Sequence, residues 1–136
     1  MRVLVDTSVW SEAFRRNYPI RGNQAHELAQ LIEDGDAAMI GPIRQELLSG
    51  IPDVNEFLRL KRAIAAFVDE PLDTEDFENA AKCFNACRRR GIQGAHTDFL
   101  ICAFAMRHGI PIFSVDKDFR SYAKVLPIAL HAIRPH

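Results

Sequence analysis

Four short apolar runs constrain this chain more than any other feature: residues 3–5, 37–40, 110–115 and, more weakly, 126–130. Their apolarity is continuous rather than alternating, the pattern of strands buried on both faces in a parallel sheet. Helical spacing fills the intervals, at residues 8–16, 24–33, 43–48, 54–67, 75–89 and 97–108, with Leu28, Leu31 and Ile32 sharing one face of the second. Strands alternating with helices specify a three-layer α/β arrangement with right-handed crossovers and a central, mostly parallel sheet of four to five strands. Breakers fall between the elements: Gly35, Pro42, Gly50, Pro52, Gly109 and Pro111. The segment Asp69-Glu70-Pro71-Leu72-Asp73-Thr74-Glu75-Asp76 reads as a helix cap with Thr74 at the N-cap.

Length and composition limit the alternatives. A chain of 136 residues is expected to form a single domain, residues 1–136. At that size it buries somewhat under roughly 70% of its unfolded surface, enough for a core without disulfides or structural metal. The longest unbroken apolar stretch, from Phe99 to Met106, is 8 residues, far below the roughly 20 that cross a bilayer. An acid, Asp6, interrupts the N-terminal apolar run too early for a secretory signal, so no membrane and a cytoplasmic location are expected. Cys83, Cys87 and Cys102 have neither CxxC spacing nor a paired His and read as packing residues.

The chemistry lies in carboxylates at strand ends. Asp6 directly follows the first apolar run and Asp116 the third, so both lie at the carboxyl edge of the sheet, where open α/β sheets bind ligands. Glu46 is about one turn into the helix after the second run, and Asp98 opens the apolar helix that precedes the third. Each acid alone has a local explanation as a cap, a dipole partner or a solvated residue. Together they put four carboxylates on one rim, and such repulsion calls for a hard divalent cation. Oxygen ligands without His or Cys favour Mg²⁺ or Mn²⁺ over zinc.

The ordered set Val5-Asp6-Thr7-Ser8, Pro42-Ile43-Arg44-Gln45-Glu46-Leu47, Thr97-Asp98-Phe99-Leu100-Ile101-Cys102-Ala103 and Ile112-Phe113-Ser114-Val115-Asp116-Lys117-Asp118-Phe119 resembles the PIN-domain ribonucleases, above all the VapC-type toxins of type II toxin–antitoxin pairs. The resemblance spans essentially the whole chain and implies a three-layer PIN-like fold. It also implies an Mg²⁺-dependent endoribonuclease, with Mn²⁺ substituting, in which Asp6, Glu46, Asp98 and Asp116 form the catalytic metal site. In that reading a metal-activated water cleaves RNA phosphodiesters to 5′-phosphate and 3′-hydroxyl ends. A homodimer blocked by a cognate antitoxin protein is implied as well. The chain departs from the family at Ser114, where Thr is more usual, and at Cys102, where a small residue is; the first change keeps a hydroxyl and the second affects packing.

Thr7, Ser8 and Ser114 are candidates for orienting carboxylates or waters, or are turn hydroxyls. Setting the four site acids aside leaves 17 cations against 14 anions, so an acidic pocket can sit in a mildly basic surface. Arg15, Arg16, Lys117, Arg120 and Lys124 are the candidate RNA contacts. Arg88-Arg89-Arg90 reads as a solvated helix terminus or an RNA-facing patch, and His96 as a helix-entry residue or a general base. Trp10 and Phe14, four apart, read as packing or a dimer seam. Other readings stay open: an RNA-processing nuclease outside a toxin system, a catalytically silent scaffold, or a phosphoacceptor receiver. The last is disfavoured because Asp6 is followed by Thr7 rather than a second acid.

Overall fold

The computed structural model describes residues 1–14 and 22–135. Four parallel strands, β1 (Val3–Val5), β2 (Ala37–Ile40), β3 (Asp69–Glu70) and β4 (Ile112–Phe113), lie in the order β3-β2-β1-β4. Val3 and Leu4 pair with Ala37 and Ala38, and Leu4 and Val5 with Ile112 and Phe113. The central strand is therefore apolar at every position and wholly buried, as the sequence pattern requires.

Helices flank this sheet: α1 (Thr7–Phe14), α2 (Gly22–Glu33), α3 (Gly41–Leu48), α4 (Val54–Ala63), α5 (Thr74–Arg89), α6 (His96–His108) and α7 (Asp118–Ala123). Helix α6 buries Phe99, Ile101, Cys102, Ala103, Phe104 and Ala105, which is why its sequence is apolar nearly all round. It packs along α5, whose Ala80, Cys83 and Cys87 face inward. All three cysteines are free and buried, as expected, and burial pushes their thiols up. Gly109 ends α6 in the left-handed conformation at φ 62°, the backbone state for which glycine has no Cβ penalty. Trp10 is wholly buried, donates its indole N–H to the Val5 carbonyl at 2.9 Å and meets Phe67 edge-on at 4.7 Å; it is a packing residue.

The structure corrects several boundaries. The acidic segment supplies a fourth strand, β3, that its sequence conceals, because a two-residue edge strand needs no apolar signature. Arg44 anchors this edge through Asp69 at 2.8 Å and the carbonyls of Ile64 and Phe67. Asp73, not Thr74, is the α5 N-cap, in a reciprocal capping box with Asp76. The expected strand at 110–115 shrinks to two residues: the Ile110 N–H closes the end of α6, and beyond Phe113 the backbone turns to serve Ser8 and Ser114. The run at 126–130 is reduced to one parallel bridge, Leu130 to Ile112. Helix α4 stops at Ala63 rather than at Phe67, and α7 is a helix the sequence pattern does not announce.

Candidate functional site

Asp6 leaves β1 at the carboxyl edge and is 3% exposed. A carboxylate so enclosed needs hydrogen bonds, and its neighbours supply them. Ser8, in the first turn of α1, donates its hydroxyl to Asp6 Oδ2 at 2.6 Å, and Ser114, just past β4, donates to the same oxygen at 2.8 Å. The Ser8 backbone N–H adds a third contact at 3.3 Å. The two hydroxyls also hold the loop after β4: the Val115 N–H donates to Ser8 Oγ at 3.2 Å and the Asp116 N–H to Ser114 Oγ at 3.0 Å. These bonds fasten the end of β1 to the end of β4. Burial pushes the Asp6 carboxyl above its ordinary range, outweighing the hydrogen bonds from Ser8, Ser114 and the backbone. The Thr7 hydroxyl oxygen, next in sequence, is buried without a hydrogen-bond partner among the described residues.

Asp98 stands half-buried in the first turn of α6. Tyr122 of α7, itself wholly buried, donates its phenol to Asp98 Oδ2 at 2.6 Å. A glycine makes room for this bond: a Cβ at Gly94 would lie 2.3 Å from the Tyr122 hydroxyl oxygen and 2.9 Å from the Phe99 ring. Burial pushes the Asp98 carboxyl up to about 6. The Tyr122 bond opposes that rise, while the charges of Asp6, Asp116 and Glu46 add to it. Electrostatically, then, the other three acids singled out by the sequence act on Asp98.

Glu46 on α3 and Asp116 after β4 are exposed. Asp116 Oδ1 accepts the Asp118 N–H at 2.9 Å, a turn that leads into α7. Among the described residues no Lys, Arg or His forms an ion pair with any of the four acids. Lys117, Arg120 and Lys124 are exposed beside the rim; Arg15 and Arg16 lie outside the described residues. Arg44 is committed to β3. As the side chains stand, no three His, Cys, Asp or Glu among the described residues converge closely enough to enclose an ion. Sequence reasoning missed Tyr122 and Gly94. The only trace of the first is the i, i+3 pair of Phe119 and Tyr122, a helical spacing too short to stand out.

A parallel four-stranded sheet flanked by helices is consistent with a PIN fold. The chain matches the PIN domain family over residues 3–125 and belongs to it. It is 35% identical over 136 residues to VapC ribonuclease Mb1587 of Mycobacterium bovis, an alignment covering 97% of this chain and 99% of that one. Ribonuclease VapC11 of Mycobacterium tuberculosis matches with the same identity and coverage, which places the chain in the VapC branch. Among solved structures, FitAcB from Neisseria gonorrhoeae superposes with a TM-score of 0.74 at 20% identity, covering 96% of both chains. VapBC2 from Rickettsia felis bound to a promoter DNA fragment gives a TM-score of 0.77 at 12% identity, covering 96% of this chain and 98% of that one. These two likenesses concern the fold.

Proposed function

We propose that the protein is a divalent-metal-dependent endoribonuclease, the toxin of a toxin–antitoxin pair. One observation carries the reading: Asp98 is under the combined charge of Asp6, Glu46 and Asp116 while no side-chain cation among the described residues pairs with any of them. Like charges gathered at a ligand-binding edge without a counter-ion suit a cation from solution. The donor set fits Mg²⁺ or Mn²⁺, being oxygen only. Asp6 and Asp98 are the fixed ligands, held by Ser8, Ser114 and Tyr122. Glu46, exposed, reaches the ion directly or through water, and Asp116, whose Oδ1 accepts the Asp118 N–H, offers its other oxygen.

The chemistry such an ion supplies is activation of water near neutral pH and neutralisation of charge on the phosphodiester. The chain's part is to hold the carboxylates. Ser8 and Ser114 fix one oxygen of Asp6, and so the direction in which the other points. Tyr122 does the same for Asp98, and by its own bond keeps that carboxylate from turning into the core. Lys117, Arg120 and Lys124 serve the flanking phosphates. No side-chain nucleophile is required. Association as a homodimer and inhibition by a cognate antitoxin are part of the same proposal, and kinship with the VapC ribonucleases supports it.

The decisive experiment is cleavage of a labelled, structured RNA by the purified protein with Mg²⁺, Mn²⁺ or EDTA, beside Asp6→Asn and Asp98→Asn. Metal-dependent cleavage that vanishes in both variants establishes the nuclease and its site. Cleavage that survives EDTA or both substitutions refutes the metal mechanism, and absence of both cleavage and Mn²⁺ binding by calorimetry refutes the enzyme.

A further inference from the structure

One face of the molecule next to the carboxylates takes no part in holding them. Helices α5 and α6 enclose a cavity of about 340 Å³, lined by Phe77, Ala80, Phe84, His96, Phe99 and Leu100 among others, within the size range of ligand-binding clefts. Its wall is aromatic and ordered. The His96 imidazole lies on the Phe84 ring, centroids 5.2 Å apart and 12° from parallel. Arg88 lies over Phe84, its guanidinium carbon 5.8 Å from the ring centroid. Phe77 is 53% exposed. His96, Arg88, Arg89 and Arg90 are all exposed, and among the described residues none of the three arginines has an ion pair. A stack of rings beside the Arg88 guanidinium is the chemistry that receives a base together with its phosphate.

The groove also adjoins the site. His96 and Asp98 share the first turn of α6. Phe84 touches Phe99 at 5.5 Å, Phe99 touches Tyr122 at 5.0 Å, and Tyr122 donates to Asp98. One layer of aromatic side chains separates the two.

We propose that this groove is a subsite for an unpaired nucleotide of the RNA substrate, its base stacked on His96 above Phe84 and an adjoining phosphate held by Arg88. The inference rests on the ribonuclease reading and makes the enzyme selective for single-stranded or looped RNA. The Arg88 guanidinium over the ring stack, without an ion pair among the described residues, favours RNA over a second copy of the chain, whose apolar contact would desolvate it.

The test is fluorescence anisotropy of a mixed-sequence single-stranded RNA 12-mer bound to the full-length protein in EDTA, with a duplex of the same length as control. The wild type should prefer the single strand. His96→Ala should weaken single-strand binding about tenfold, in line with base–aromatic stacking measured elsewhere. His96→Phe, which restores a stacking face, should recover most of it. Arg88→Gln should weaken binding and reduce the salt slope by about one. Unchanged affinity in His96→Ala, or equal affinity for the duplex, overturns the subsite. If the wild type still cleaves RNA with metal, the subsite falls alone; if it neither binds nor cleaves RNA, the ribonuclease reading falls with it. Loss of self-association by sedimentation in His96→Ala, with RNA affinity intact, assigns the groove to a second copy and likewise overturns the proposal. His96 is exposed, so matching thermal melts exclude misfolding.

Discussion

Buried carboxylates away from the carboxyl edge of the sheet and those at it are treated in opposite ways. At the start of α5, Asp76 is wholly buried and receives two bonds from Arg107, at 2.6 and 2.7 Å. Burial alone would push its carboxyl up, but Arg107 and the Asp73 backbone N–H hold it below the ordinary range. Glu27 of α2, equally buried, takes Arg134 at 3.0 Å and a short bond with His131. Asp6 is nearly as buried, yet its hydrogen-bond partners are serine hydroxyls and a backbone N–H group, and Asp98 has a tyrosine. The chain thus pairs Asp76 and Glu27 with arginine and leaves Asp6 and Asp98 to hydroxyl and backbone partners. Negative charge without a cationic partner is costly to bury, and this contrast supports the proposal of a cation at the carboxyl edge.

The same conservative substitution should therefore have opposite consequences in the two regions. Asp6→Asn and Asp98→Asn remove repulsion, so both should fold with unchanged or raised thermal midpoints while RNA cleavage falls on the order of a thousandfold, the weight of several kcal/mol of metal-assisted stabilisation. Asp76→Asn weakens the pairing with Arg107 and removes the carboxylate from the capping box. It should lower the thermal midpoint, and the fraction still folded should cleave at the wild-type rate. Parallel melting curves and initial rates decide the matter. If Asp98→Asn is destabilised like Asp76→Asn, the contrast between the regions is false.

The hydroxyl partners offer a finer cut. Tyr122→Phe keeps the packing against Phe99 and Phe119 and removes only the bond to Asp98. Loss of such an orienting group costs roughly 10- to 100-fold in metal affinity or activity, so Mn²⁺ titration by calorimetry should show that weakening. Gly94→Ala presses a methyl onto the same phenol. It should cost about 1–3 kcal/mol of stability by overpacking and weaken Mn²⁺ in the same direction, whereas an unchanged Mn²⁺ affinity in both variants would reduce Tyr122 to a packing residue.

How far the sequence reveals this contrast depends on the range of the interactions involved. The apolar runs at 3–5 and 37–40 announce their strands because burial on both faces leaves no room for polar residues. Asp6 and Asp98 stand out because an acid beside a buried element is conspicuous. Tyr122 and Gly94 are invisible for the converse reason: one is an ordinary aromatic on a six-residue helix, the other a loop glycine. Their roles exist only once α7 folds back onto the start of α6. Strand β3 is hidden because its two residues are acids, held by Arg44 and Arg2 from distant segments. The apolar run at 110–115 misleads for a related reason, since Ile110 and Ser114 spend their hydrogen bonds on α6 and on Asp6 rather than on the sheet.

The smallest expected effect tests the electrostatics most directly. Asp98 has a folded-state pKa raised from 3.8 to about 6, so the folded protein binds a proton there more readily than the unfolded chain does. In metal-free protein its contribution to stability must therefore fall as the pH rises from about 4 to 6 and stay low above that. Asp76, whose carboxyl is lowered, contributes the reverse: stability present above the unfolded pKa and lost as the pH falls through the folded one. Thermal melts of the wild type and Asp98→Asn in EDTA, from pH 4 to pH 8, separate the two. The variants should coincide near pH 4, and the asparagine protein should be the more stable above pH 6. Adding Mn²⁺ at pH 7 should raise the wild-type midpoint and leave Asp98→Asn much less affected, because a ligand stabilises the state that binds it. Parallel curves across the whole range would mean that neither burial nor its three acidic neighbours raise the Asp98 carboxyl, and the electrostatic argument for a cation at this edge would fall.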